Sequence, residues 1–146
     1  MYEFCIYGKP VSQPRPRFVR RGKKLMSYDP KTAQTSKAHI QNTVLLGLEE
    51  DFKPLDGPIF LEIEAWFPCP KSKWRKRNPI PETHKSNGPD IDNVAKHYMD
   101  ALFASGMLSN DDRQIAKLHI TKYQCAQGDN PKTIVRFGLL EEEVAQ

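Results

Sequence analysis

Nine residues bracketed by prolines place the strongest limit on what this chain can fold into. Between Pro58 and Pro68 it reads Ile59-Phe-Leu-Glu-Ile-Glu-Ala-Trp-Phe67, with Ile59, Leu61, Ile63, Ala65 and Phe67 on one parity and Glu62 and Glu64 on the other. Strand side chains alternate between the two faces of a sheet, so the run predicts a half-buried strand with one apolar face. Such a face must be covered, and the rest of the chain has to supply both sheet partners and a covering layer. Three further segments alternate in the same way: Tyr2, Phe4 and Ile6 against Glu3, Cys5 and Tyr7; Ala116, Leu118 and Ile120 against Lys117, His119 and Thr121; and Thr133, Val135, Phe137 and Leu139. Gly128-Asp-Asn-Pro131 separates the last two and predicts a turn that joins them as a hairpin.

Two segments carry helical spacing instead. From Lys31 to about Asp51 the only breaker is Gly47, and Ala33, Lys37, Ile40, Val44, Leu45 and Leu48 recur near a period of 3.6. Asp29-Pro30 suits the opening of that helix. From Asp92 to about Ser105 the apolar stripe is Val94, Tyr98, Ala101 and Leu102, and Gly106 is a natural stop. The order is β-α-β-loop-α-β-β. It predicts one α/β (α+β) domain over residues 1–146, with two main helices on a mostly four-stranded mixed sheet; 146 residues suffice for one core without staples. Residues 10–28 are expected to form an irregular arm or hairpin. Residues 70–89, rich in Pro, Gly and Lys, are expected to form a loop that stays mobile until it meets a ligand.

Charge is distributed unevenly. The net charge is +4, but residues 1–30 carry +5 through Lys9, Arg15, Arg17, Arg20, Arg21, Lys23 and Lys24 against Glu3 and Asp29. Residues 71–88 carry another +5 through Lys71, Lys73, Arg75, Lys76, Arg77 and Lys85 against Glu82, which leaves an acidic remainder. Two basic segments on an acidic body point to a polyanionic partner; solvated loops are the plainer reading. No apolar run is long enough to cross a membrane. The first residues lack the basic start and apolar stretch of a signal peptide. Cys5, Cys69 and Cys125 are far apart and odd in number, so they signal neither a zinc site nor a disulfide framework and fit a reducing cytoplasm.

The acidic residues are concentrated in Gly88-Pro-Asp-Ile-Asp-Asn-Val-Ala-Lys96 and Asn110-Asp-Asp-Arg-Gln-Ile115. Asp90 and Asp92 are two apart, so an extended backbone would point both to one side. Asp92, Lys96 and Asp100 are spaced i, i+4, i+8 on a helix and form a polar stripe. A turn and strand after the helix could return Asp111-Asp112 to the first pair. Clustered carboxylates repel one another, and a bound Mg²⁺ removes that cost while taking up substrate phosphate oxygens. The structural reading of the same residues makes Asp90 a turn residue, Asp92 a helix N-cap and Asp100 a surface residue or partner of Lys96. His84, His97 and His119 share no ligand spacing.

These residues resemble a known signature. Pro89-Asp-Ile-Asp-Asn-Val-Ala-Lys-His-Tyr-Met-Asp-Ala-Leu102, followed by a glycine and Asp111-Asp-Arg-Gln-Ile115, is similar to the D-x-D-N-x-x-K, D-A-L, D-D-x-Q-[IV] pattern of the RusA family of Holliday junction resolvases. Pro14-Arg-Pro-Arg-Phe18 and Phe67-Pro-Cys-Pro-Lys71 resemble phage-borne members. The resemblance implies a Mg²⁺-dependent endodeoxyribonuclease, with Mn²⁺ as a possible substitute, that acts as a homodimer on branched, four-way DNA. By the same resemblance Asp90, Asp92 and Asp112 bind the metal, Asp111 supports that site, and Lys96 is the catalytic or phosphate-contacting lysine. Arg15, Arg17, Arg20, Arg21, Lys23 and Lys24 in the arm, with Lys71, Lys73, Arg75, Lys76 and Arg77 in the loop, are expected to grip DNA phosphates, and Phe18 and Trp74 to stack or wedge at the branch. The family's bacterial resolvase carries a run of arginines directly before its first aspartate. Here that stretch is His84-Lys-Ser-Asn-Gly-Pro89.

Overall fold

The proline-bracketed run is the central strand of a five-stranded sheet. The computed structural model describes residues 1–13, 17–28 and 31–141, with only the backbone of 17–19, 21 and 25–28. Arg15 and the Asp29-Pro30 opening therefore lie outside the described residues. The elements are β1 (Tyr2–Tyr7), β2 (Arg17–Arg21), β3 (Lys24–Tyr28), α1 (Lys31–Gly47), β4 (Ile59–Phe67), β5 (Thr83–His84), α2 (Ile91–Ala104), β6 (Ile115–Gln124) and β7 (Lys132–Leu139). The large sheet has the order β1-β7-β4-β6-β5, with β4 and β6 parallel and the other pairs antiparallel. β2 and β3 form a separate two-stranded hairpin. Its two-residue turn places Gly22 at a φ of 62°, a conformation that glycine adopts without the steric cost of a Cβ.

Both helices pack into one core with the inward parity of the sheet. Ile40 and Val44 of α1 and Val94, Tyr98, Ala101 and Leu102 of α2 join Phe4, Ile6, Leu61, Ile63, Ala65, Phe67, Val135 and Phe137 in a single buried cluster. The opposite parity is polar. There Arg136 donates to Glu3 Oε2 and to Glu62 Oε1, each at 2.6 Å, and to Glu64. Those three carboxylates hold the Arg136 guanidinium well above its ordinary pKa, Glu64 contributing most. One buried polar pair crosses the core, Tyr98 Oη to Thr133 Oγ1 at 2.8 Å, and burial pushes the Tyr98 phenol up.

Four expectations change. First, β6 and β7 are not a hairpin: β4 lies between them, and residues 125–131 step over its end, where the Cys125 amide donates to Phe67 O at 2.8 Å. Alternation assigns faces but not neighbours, and seven residues can span two strand spacings, about 10 Å. Second, the sheet has a fifth, two-residue strand, β5, where a loop was expected. Third, α1 stops at Gly47 rather than near Asp51, and Leu45 is 52% exposed. A Cβ on Gly47 would sit 2.7 Å from the Phe4 ring, so the last turn of α1 lies directly on β1.

Fourth, the basic loop is tied down. Gln127 Oε1 accepts from the Arg75 and Ile80 amides at 2.9 and 3.3 Å, and its Nε2 donates to Arg75 O at 2.9 Å. Trp74 Nε1 donates to Cys69 O at 3.0 Å, and Trp66 Nε1 to Glu82 Oε1 at 2.7 Å. Cys5, Cys69 and Cys125 are free. No helix of the described residues is long and apolar enough to cross a membrane.

Candidate active site

The Asp90-x-Asp92 motif opens α2, the crossover helix between the parallel neighbours β4 and β6. Asp90, not Asp92, takes the N-cap position, with extended backbone, and its carboxylate makes no capping hydrogen bond. The extended run expected to aim both carboxylates to one side thus ends at Asp90, and Asp92 lies inside the first helical turn. Both are exposed. The partial positive charge of a helix N-terminus favours the negative charge of both. Lys96 is exposed one turn after Asp92 at i+4, a spacing that places two side chains on one helix face. Asp100 pairs with Lys37 of α1, at 3.9 Å.

The chain does not return the second acidic pair to the first. Ile115 pairs with Ile59 at the start of β4, whereas Lys122, seven residues along β6, donates from Nζ to Pro89 O at 2.7 Å. Seven strand residues at roughly 3.3 Å each separate the two ends by about 23 Å. The 14 residues of α2 give about 20 Å by an independent route. A helix and strand that run antiparallel across one crossover carry their sequence neighbours apart. Among the described residues no group of three metal-capable side chains exists. Asp90 and Asp92 still fit a divalent ion, because Mg²⁺ is commonly held by one or two carboxylates plus waters and phosphate oxygens.

At the far end the motif divides its labour. Asp111 accepts from the Arg113 amide at 2.9 Å and from Arg113 Nε at 2.9 and 3.0 Å, and that side-chain bond holds its carboxyl below the ordinary aspartate range. Gln114 Nε2 donates to Leu55 O and Gly57 O at 2.9 and 3.1 Å, and its Oε1 accepts from the Asn110 amide at 2.6 Å. Asp112, between them, is exposed.

One of the two basic segments is fastened to the start of α2. The Gln13 amide donates to Asn93 O at 2.9 Å, so the root of the basic arm lies on the first turn of the helix. In the hairpin Arg20, Lys23 and Lys24 are exposed; the side chains of Arg17 and Arg21 fall outside the description. Lys71, Lys73, Arg75, Lys76 and Arg77 are all exposed, and Trp74, although anchored, remains 45% exposed. The Phe18 side chain is not described. His97 Nε2 is 2.9 Å from Ser36 Oγ in the core, and His84 lies against the Tyr123 ring.

Three lysines not assigned to the site from sequence lie beside it. Lys122 Nζ donates to Asn87 O and Pro89 O, at 2.8 and 2.7 Å, and so holds the segment that delivers Asp90. Lys85 lies 5.3 Å from the Phe67 ring centre, and its amide donates to Lys122 O. Burial lowers the Lys85 pKa most, followed by the charges of Lys122, Lys73 and Lys9. Lys122 was detectable in principle, as the polar residue on the apolar parity of β6. Lys9 and Lys85 were counted in the two basic segments, but nothing local in the sequence ties them to Asp90.

Two comparisons bear on the chain as a whole. A family model described as endodeoxyribonuclease RusA matches residues 7–137. The chain is also 28% identical over 126 residues to the uncharacterized protein YqaN of Bacillus subtilis strain 168, covering 83% of this chain and 86% of that protein. With an Asp-x-Asp motif at a crossover helix, a basic segment fastened to that helix and a match from β1 through β7, the chain belongs to the RusA endodeoxyribonuclease family.

Proposed function

We propose that this protein is a Mg²⁺-dependent endodeoxyribonuclease that resolves four-way DNA junctions by paired phosphodiester hydrolysis, acting as a homodimer in the cytoplasm. The observation that carries the reading is the pair of exposed carboxylates at the start of α2, with Lys96 one turn on and Lys122 fastened to the Pro89 carbonyl, in a chain of this family. Asp90 and Asp92 would hold the metal. When bound, Mg²⁺ polarises a phosphodiester and lowers the pKa of a coordinated water. Lys96 offers an ammonium to the same phosphate, and the arm and the 71–77 segment hold the flanking backbone by charge. Asp112 serves in this reading from a second copy, since its own chain keeps it at the far end of α2. A two-fold dimer then presents two such sites to two symmetry-related strands.

Asp92→Asn is expected to abolish Mg²⁺-dependent cutting of a synthetic four-way junction and leave junction binding in EDTA intact. Cutting at the native rate would remove Asp92 from the metal site. The separation of Asp112 from Asp90 within one chain favours a second reading, a DNA-binding recombination accessory without catalysis. That protein would bind junctions in EDTA and never nick them with Mg²⁺ or Mn²⁺. Flap and duplex substrates in the same assay separate a junction resolvase from a general branched-DNA nuclease.

A further inference from the structure

A cleft of about 750 Å³ lies beside Asp90, and it is built unlike a surface for duplex DNA. One wall is the chain between β1 and the hairpin, with Lys9, Pro10 and Val11; the other includes Phe67, Pro68 and Pro70. Lys85, Gly88 and Pro89 complete it, so the cleft ends on the residue before Asp90. Lys9 and Lys85 are in the lining; Lys73 follows the lining residue Pro70 by one turn, and Lys122 is fastened to the carbonyl of the lining residue Pro89.

The two features together narrow the occupant. Lysines at the rim suit a chain of phosphates, while the proline walls need an apolar partner. A duplex offers phosphates and sugars on its outside but keeps its base faces stacked within. An unpaired strand offers both, because each freed base has an apolar face and each linkage a charge. We propose that this cleft seats a short unpaired DNA segment, with its phosphates on Lys9 and Lys85 and its bases and sugars against the prolines, leading the strand to Asp90. The proposal rests on the junction-nuclease reading for its biological setting, in which the protein opens the base pairs next to the crossover, at the cost of unpairing and unstacking them, and so supplies the unpaired segment. The lysines come from distant parts of the chain: Lys9 after β1, Lys85 after β5 and Lys122 on β6.

The test is binding in EDTA, with no cleavage required, of a fluorescein-labelled oligothymidylate of about eight nucleotides, within the roughly 4–16 nucleotide range of single-strand sites. Lys9→Ala/Lys85→Ala is expected to weaken single-strand binding. It should also make the slope of log affinity against log salt shallower by about 1.4, two phosphate contacts at about 0.7 each. Binding of a duplex of equal length should be unchanged, and Lys9→Arg/Lys85→Arg should keep the native slope. An unchanged slope in the alanine variant, or an equal loss on duplex and single strand, would overturn the cleft assignment. Junction cutting is scored separately on the native protein. A protein that binds the oligonucleotide through these lysines but never cuts would refute the proposed function and leave the cleft standing.

Discussion

At the scale of single residues, one acidic motif contains two different jobs. Asp111 is committed to Arg113, while Asp112 is exposed and Gln114 closes the turn on Leu55 and Gly57. The lowered Asp111 pKa means that its contact is present above the unfolded aspartate value and is lost as pH falls through the lower folded value. Arg113→Ala removes the side-chain bond but keeps the backbone one, so the Asp111 pKa should rise partway toward that of an ordinary aspartate, as followed by carboxyl NMR. An Asp111 titration that does not move would show that Arg113 does not hold it. The residue types of this site were legible in the sequence: Asp90, Asp92, Lys96 and the Asp111-Asp112 pair stand out from one chain. The division between the two acids of the pair was not, because both have the same chemistry until a neighbour's hydrogen bonds distinguish them.

At the scale of elements, local pattern found every long strand and both helices, and missed the ends that packing decides. α1 closes against β1 at Gly47, where a methyl would meet the Phe4 ring at 2.7 Å. Phe4 cannot simply swing away, because it is buried and stacked on Phe137 with ring centres 5.9 Å apart. Gly47→Ala gains up to about 1 kcal/mol of helix propensity but overpacks the contact at a cost of about 1–3 kcal/mol. The expected net loss is about 1 kcal/mol, read from the urea midpoint. A more stable variant would mean that α1 can move off β1. β5 was illegible for a related reason: two residues have no period, and their pairing with Tyr123 and Gln124 is supplied by β6.

At the scale of the whole molecule, topology sets the two acidic motifs at opposite ends of the α2–β6 unit. If each proposed site takes Asp90 and Asp92 from one protomer and Asp112 from its partner, two inactive variants should rescue each other. Asp92→Asn and Asp112→Asn proteins, each unable to cut, would form mixed dimers in which one of the two sites keeps all three carboxylates. Co-expression is expected to restore nicking of one strand per junction, without paired cuts. No recovery in a preparation shown to contain mixed dimers would rule out the shared arrangement.

Along β6 Ala116 and Leu118 are exposed together with Lys117 and His119, so the apolar face expected there is not buried. The sequence by itself determined the layer architecture, the parity of β1, β4 and β7 and the residue types of the proposed site. Those follow from periodicity, breakers and the chemistry of carboxylates beside cations, all of which are local. Only the tertiary structure decided that β4 separates β6 from β7, that Gln127 ties down the basic loop, and that Lys9 and Lys85 line one cleft with Pro89, whose carbonyl accepts from Lys122. It also decided that Asp112 lies about 20 Å from Asp90, by the length of α2. These are long-range outcomes of one core choosing among strand orders, and periodicity along a chain does not encode which strands become neighbours.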